Sequence, residues 1–203
     1  MNEEKQVILE DIKIKAKQNF VPILQDASLD LILMVLKLKK PNQILEIGTA
    51  VGYSAIKFSE NLSGKNSKIT TIELKEDMYN QAISNIAKMG LEEKIDVIHA
   101  DAITYLEKID EKENKFDVIF IDAAKGQYMV FLKHALRLIA SGGVIIADNI
   151  LFKGRTLGGY NEHRHRTATT RLREYLKEVF ENDKLDSKLF QIGDGVVISI
   201  AKE

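Results

Sequence analysis

The sequence predicts an α/β protein: a seven-stranded, mostly parallel sheet with helices on both faces, closed by an antiparallel C-terminal hairpin. Three observations carry that expectation. From Asn42 onward, short β-rich runs alternate with stretches of helical period, five units in succession. The runs after the first are rich in Val and Ile, as strands buried on both sides tend to be. Between the last two runs, Gly193-Asp194-Gly195 has the short Gly-rich form of a hairpin turn, so that final pair is expected to be antiparallel.

In chain order, two helices come first, at about Glu3–Gln18 and Ser28–Leu38, the second with Ser28 as its expected N-cap and Pro41 as its stop. Strands are expected at Gln43–Ile47, Lys68–Glu73, Ile95–His99, Phe116–Ile121 and Gly143–Ala147. Helices fall between them near Tyr53–Asn61, Asp77–Met89, Asp101–Ile109 and Tyr128–Ile139. The rhythm then changes to a Gly-rich basic loop (Ile150–Arg166), a helix (Thr167–Phe180) and two strands around Ser187–Ile192 and Val196–Ala201. With no repeat or linker in view, residues 1–203 read as a single domain: N-terminal helices (1–41), core (42–147), a loop bordering the candidate site (148–166), then the last helix and hairpin (167–203).

Composition narrows the function classes. A chain of 203 residues with 45% hydrophobic content can bury one sizeable core unaided. The absence of cysteine removes disulfide scaffolds, thiolate zinc sites and cysteine nucleophiles, and agrees with a reducing compartment. Acidic residues in M-N-E-E-K-Q-V-I-L-E-D stand where a secretory signal would be basic, and the apolar run Leu29–Leu36 is interrupted by Asp30 and too short to span a bilayer. A soluble cytoplasmic protein without a membrane partner is expected. Lys plus Arg (29) nearly cancels Asp plus Glu (30), so there is no bulk positive charge for indiscriminate nucleic-acid binding.

The first strand runs into Leu45-Glu46-Ile47-Gly48-Thr49-Ala50-Val51-Gly52-Tyr53-Ser54, a glycine-containing turn leading directly into a helix, where backbone can approach a ligand closely. The G-x-x-x-G spacing differs from the dinucleotide fingerprint and by itself is also what a plain tight βα turn looks like. Glu46 inside the first strand and Glu73 at the end of the second sharpen it, since a strand-end carboxylate can accept hydrogen bonds from a ribose diol. The set resembles the S-adenosylmethionine site of Rossmann-like class I methyltransferases. That resemblance implies cofactor contacts from Glu46, Gly48, Gly52, Tyr53 and Ser54 around the methionine moiety, Glu73 at the ribose, and Asp101 with Ala102 near the adenine; Asp122 joins the same set.

The fourth strand ends in Phe120-Ile121-Asp122-Ala123-Ala124-Lys125 and the fifth in Ala147-Asp148-Asn149. Ligands of open α/β sheets bind beyond the carboxyl ends of the strands. If the two strands are neighbours their ends lie about 5 Å apart, so Asp122, Asp148 and the Asn149 amide oxygen can converge on one cation. An all-oxygen set suits Mg²⁺, Mn²⁺ or Ca²⁺. Any one of these acids alone can equally be a helix cap or a strand end. I-D-A-A-K-G-Q-Y followed by A-D-N is similar to the catechol and caffeoyl-CoA O-methyltransferase family, over almost the whole chain from about Val21. The resemblance implies Asp122, Asp148 and Asn149 as metal ligands and Lys125 as general base.

After the Asp-Asn pair comes Lys153-Gly154-Arg155-Thr156-Leu157-Gly158-Gly159-Tyr160-Asn161-Glu162-His163-Arg164-His165-Arg166-Thr167, and from Lys153 to Lys177 seven Lys/Arg face two Glu. Such a cluster is commonly a solvated helix face. Beside a methyl-transfer site, arginines and a tyrosine can also hold phosphates and stack on a splayed base. H-R-H-R-T, with V-P-I-L near the start, is similar to the bacterial tRNA 5-hydroxyuridine methyltransferases, a branch of the same family. The resemblance implies the anticodon loop of tRNA as partner, a homodimer, and RNA contacts from Arg155, Arg164 and Arg166, with Lys153 and Tyr160 secondary. Two alternatives remain open: an O-methyltransferase of catechol-like small molecules, and a metal-free nucleotide-binding module that uses Glu73 for a ribose.

Overall fold

A computed structural model describes residues 3–158 and 165–202. Two helices, α1 (Glu3–Gln18) and α2 (Asp26–Lys39), precede β1 (Gln43–Ile47), α3 (Tyr53–Ser59), β2 (Lys68–Glu73), α4 (Glu76–Lys88), β3 (Ile95–His99), α5 (Ala102–Lys108) and β4 (Phe116–Ile121). A 3-10 turn at Lys125–Gln127 leads into α6 (Tyr128–Leu138), β5 (Ile139–Ala147), α7 (Arg166–Glu181), β6 (Leu185–Phe190) and β7 (Val196–Ala201). The strands form one sheet in the order β3-β2-β1-β4-β5-β7-β6. The first five strands are mutually parallel, and β7 runs antiparallel to both β5 and β6.

Strand residues alternate between the two faces, and the core divides accordingly. Ile44, Val118, Phe120, Val144 and Ile146 pack with Leu9 and Ile12 of α1, Ile32 and Leu36 of α2, Phe58 of α3 and Ile86 of α4. Leu45, Ile119, Ile121, Ile145 and Ala147 pack on the opposite face with Leu106 of α5, Phe131 and Leu132 of α6, and Leu172, Tyr175 and Val179 of α7. Covered on both sides, the central strands can be apolar throughout, which is why their sequence shows continuous Val/Ile runs rather than polar alternation. The sheet order reverses between β1 and β4, and that switch point places a crevice beyond their carboxyl ends.

The structure adjusts several expected boundaries. Ser28 is not the N-cap of α2: Gln25 is, in an extended conformation, and Ser28 sits in the first turn, fully buried. The helix stops before Pro41 because Lys40 turns left-handed (φ 49°) and its N–H closes on the Leu36 carbonyl at 2.7 Å. β5 begins at Ile139 rather than Gly143, since Ile139 pairs with Phe116 before the register shifts to Val118–Val144. Gly142 and Gly143 therefore mark an irregularity inside the strand and not its start. β6 begins at Leu185, two residues before the expected Ser187. Among the described residues no helix is long and apolar enough to cross a membrane.

Candidate active site

At the switch point lies a cleft of about 550 Å³, walled by Gly48, Glu73, Asp101, Asp122, Lys125 and Asn149 and bounded on one side by the segment Asn19–Leu24. The turn after β1 crosses the end of β4 so closely that a Cβ on Gly48 would stand 2.2 Å from the Asp122 carbonyl oxygen, and its φ of 104° is itself one that side chains avoid. Glycine is required here by contact as well as by conformation. The chain then bends through Ala50 (φ 47°), whose N–H donates to Glu73 Oε2 at 2.8 Å, while Lys75 N–H donates to Glu73 Oε1 at 2.9 Å. Each carboxylate oxygen of Glu73 is thus fixed by one backbone donor and keeps accepting capacity for a diol in the cleft.

Glu46 is placed otherwise than its strand position led us to expect. It is fully buried, lies outside the cleft wall, and accepts hydrogen bonds from the Ser54 and Thr71 hydroxyls. Thr71 is in turn 2.6 Å from the Thr49 hydroxyl. Because Thr71 gives its proton to Glu46, Thr49 donates to Thr71, and the relay ties β1, β2 and the start of α3 together. Burial pushes the Glu46 carboxyl up to about 7, against the pull of the two hydroxyl donors. Gly52 likewise faces protein: a Cβ there would meet Ala82 and Ile86 of α4 at 3.4–3.6 Å. Tyr53 and Ser54 do line the cleft, as do Asp101 and Ala102. Asp101 also caps α5, its Oδ1 accepting from the Thr104 N–H at 2.9 Å and hydroxyl at 3.1 Å.

At the other end of the cleft, Ile121 pairs with Ala147, so Asp122 and Asp148 are the next residues along two adjacent parallel strands. The Asp148 N–H continues the ladder to the Ile121 carbonyl at 3.1 Å. Asn149 then leaves the strand in a left-handed conformation (φ 60°), which asparagine tolerates better than most residues. Burial, followed by the neighbouring Asp148 charge, raises the Asp122 carboxyl to about 6, and the Lys125 ammonium opposes the shift. Asp148 is raised as well, chiefly by burial, with hydrogen bonds from Asn149 and Ser28 opposing. Lys125 Nζ lies 3.4 Å from Asn149 Oδ1, so a positive group already faces this oxygen set. Among the described residues no three His, Cys, Asp or Glu converge on a metal position. The candidate donors are two crowded carboxylates plus one amide oxygen, a combination that favours a hard cation.

The basic segment does not converge as tightly. Lys153, Arg155 and Arg166 stand outside the cleft wall, and Tyr160 and Arg164 lie outside the described residues. Arg155 rests over the Phe152 ring at 5.4 Å, and His165 meets that ring edge-on at 5.4 Å. The Lys153 N–H donates to Asp194 in the β6–β7 turn. Arg173 on α7 donates to the carbonyls of Thr156, at 2.8 Å, and of Arg155 and Gly158, gathering the loop under one guanidinium. Sequence reasoning missed Arg173, the Asn19–Leu24 wall and the Ser28 contact; V-P-I-L was the one visible signal for the wall, and nothing local marked the other two.

Comparison with known proteins agrees with this geometry. A model of the O-methyltransferase family matches residues 2–202. A catechol O-methyltransferase of Niastella koreensis is 31% identical over 175 residues, covering 83% of this chain and 77% of that protein. A caffeoyl-CoA O-methyltransferase of Stellaria longipes is 28% identical over 174 residues, 82% of this chain and 70% of that one. The crystal structure of an O-methyltransferase from Bacillus cereus in complex with SAH superposes with a TM-score of 0.87 at 26% identity, covering 97% of this chain and 91% of that one. Matched by the family from end to end of its described fold, and carrying the strand-end residues set out above, this chain belongs to the O-methyltransferase family.

Proposed function

We propose that this O-methyltransferase uses S-adenosylmethionine and a divalent cation, Mg²⁺ or in its place Mn²⁺ or Ca²⁺, to methylate the 5-hydroxyl of 5-hydroxyuridine at the wobble position of tRNA. On this reading it acts in the cytoplasm as a homodimer, with the whole chain as one catalytic domain. The observation that carries the chemistry is the approach of Asp122, Asp148, Asn149 and Lys125 to one another beside a cleft that also contains Glu73. S-adenosylmethionine supplies the methyl group and leaves as a neutral sulfide, so no acid is needed at the leaving atom. A cation held by Asp122, Asp148 and Asn149 would act as a Lewis acid toward two adjacent acceptor oxygens.

The protein's own groups do the rest. Glu73, pinned through both oxygens, presents its remaining lone pairs to a ribose diol. Gly48 keeps the β1 turn close against the end of β4, so donor and acceptor share one small volume and orientation supplies much of the acceleration. As the neutral amine, Lys125 Nζ would take the proton that leaves the acceptor hydroxyl, while the Asn149 amide oxygen holds that nitrogen in place. For the tRNA acceptor the support is the basic, aromatic loop: Lys153 and Arg166 are exposed, and Arg155 is stacked on Phe152. Arg164 and Tyr160 would add a phosphate contact and a stacking ring.

The kinship with the Niastella koreensis catechol O-methyltransferase favours a second reading, methylation of a catechol-like small molecule at the same site. Both acceptors present vicinal oxygens, so the site alone serves either. The deciding experiment offers labelled S-adenosylmethionine to tRNA containing 5-hydroxyuridine and, in parallel, to catechol, with Mg²⁺ and with chelator. Metal-dependent label in the tRNA, lost on combining Arg164→Ala with Arg166→Ala, is the expected result. Label in catechol alone transfers the assignment to the second reading.

A further inference from the structure

Asp148 is gripped from both faces of the sheet. From the α6 side the Tyr128 hydroxyl donates to its backbone carbonyl at 2.8 Å. Its carboxylate is held from the opposite side: Ser28 of α2 donates its hydroxyl to Oδ1 at 3.3 Å, and the Asn149 amide donates to Oδ2 at 2.5 Å. Ser28 is fully buried and Asp148 is 1% exposed, so the contact is shielded from water. The hydroxyl is also boxed in by the β6–β7 turn, where a Cβ on Gly193 would come within 2.5 Å of Ser28 Oγ and 3.2 Å of Gln25 Oε1. That turn continues into the loop after Asp148, since Ile150 N–H donates to the Gly195 carbonyl at 3.0 Å and Leu151 N–H to the Asp194 carbonyl at 2.7 Å. A side chain 120 residues upstream in sequence is therefore locked against the carboxylate by the same turn that fixes the chain beyond it.

We propose that Ser28 is a positioning residue for the cation: its hydroxyl, held by the first turn of α2 and the Gly193 backbone, fixes the rotation of the Asp148 carboxylate and so sets the affinity of the metal position. The inference rests on the reading of Asp148 as a ligand. A hydrogen bond to one oxygen lets the carboxylate meet a cation in a single orientation, and such partners of ligands typically contribute 10–100-fold in metal affinity. Without the hydroxyl, Asp148 is held through Oδ2 by Asn149 while Oδ1 loses its only side-chain donor among the described residues, which widens the range its terminal torsion can take.

The test is a Mn²⁺ titration of the full chain by calorimetry, without cofactor or acceptor, on the unaltered protein, Ser28→Ala, Ser28→Cys and Asp148→Ala, with each melting temperature taken in the absence of metal. Ser28→Ala is expected to weaken Mn²⁺ binding by about tenfold and Ser28→Cys, which keeps the shape and a weak donor, by less. If Ser28→Ala lowers the melting temperature but binds Mn²⁺ within twofold of the unaltered protein, the residue is structural only and the inference falls while the metal site stands. If the unaltered protein binds Mn²⁺ no better than Asp148→Ala, the cation reading itself fails and takes the inference with it.

Discussion

On the β1–β2 side of the cleft the ties join near neighbours in sequence: Ser54 to Glu46 across 8 positions, Thr49 to Thr71 across 22, Ala50 to Glu73 across 23. On the β4–β5 side they reach far, with Ser28 meeting Asp148 across 120 positions and Lys153 meeting Asp194 across 41. The first region is a glycine turn held by a buried hydroxyl relay, and a short motif determines it. The second begins with two adjacent carboxylates, Asp122 and Asp148, both raised chiefly by burial, and continues through three left-handed residues, Asn149, Phe152 and Lys153. Local turns such as Thr156 N–H to the Leu151 carbonyl shape this segment, and long-range ties anchor it to the rest of the fold. The lesson is that the cofactor end is self-supporting, whereas the acceptor end is an assembly of side chains borrowed from α2, α7 and the terminal hairpin.

Four changes sharpen or break that contrast. Asp148→Ala strikes the borrowed end where several ties meet, and methyl transfer at saturating Mg²⁺ should fall about a thousandfold, the rate equivalent of roughly 4 kcal/mol of charge stabilisation; kcat/KM of the purified variant is the readout, and a loss under tenfold would remove Asp148 from the chemistry. Gly48→Ala strikes the self-supporting end. The forced approach to the Asp122 carbonyl together with the left-handed backbone should cost about 4 kcal/mol in urea denaturation, the sum of conformational strain and overpacking. An unchanged midpoint would show that the turn can yield.

A third change concerns Glu46, whose folded pKa is raised from 4.5 to about 7. The folded state then binds more protons than the unfolded chain between those values, so stability falls as pH rises through this window, by about 3 kcal/mol when it has been crossed. In Glu46→Gln that loss should vanish, so the variant gains on the unaltered protein between pH 5 and pH 8. Parallel denaturation curves at the two pH values check it, and a constant difference between the proteins would contradict the buried carboxyl account. The smallest effect is expected from Arg173→Ala, which frees three carbonyls of the basic loop. Acceptor KM should rise about tenfold while cofactor affinity, measured by calorimetry, stays put; a change in cofactor affinity instead would mean that the two ends are not separable.

The same contrast explains what could be read in advance. The strands, their mostly parallel arrangement and the terminal hairpin were legible because parallel buried strands leave compact Val/Ile runs, and Gly48, Asp122 and Asp148-Asn149 stood out as local motifs at strand ends. Glu46 was ambiguous, since a carboxylate inside a strand looks the same in sequence whether it faces a ligand directly or reaches the cleft through Ser54, whose hydroxyl it accepts together with that of Thr71. Ser28 looked like a cap because serine before an apolar helix normally is one, and only the folded register shows it aimed at Asp148. Arg173 sits among other charges on α7, where sequence offers no means to tell the arginine that grips Arg155, Thr156 and Gly158 from one that faces water. The RNA contacts proposed for Lys153, Arg155 and Arg166 concern a partner outside the fold, so neither the sequence pattern nor their positions beyond the cleft wall decide them.

The Gly193-Asp194-Gly195 turn also bears on synthesis, because its contacts join parts of the chain made at different times. During synthesis from the N-terminus, β1, β2, β3 and β4 with their helices emerge well before the hairpin that supplies the Asp194 and Gly195 contacts to Ile150, Leu151 and Lys153. A nascent chain therefore lacks the contacts that hold the segment after Asp148 until the hairpin has emerged.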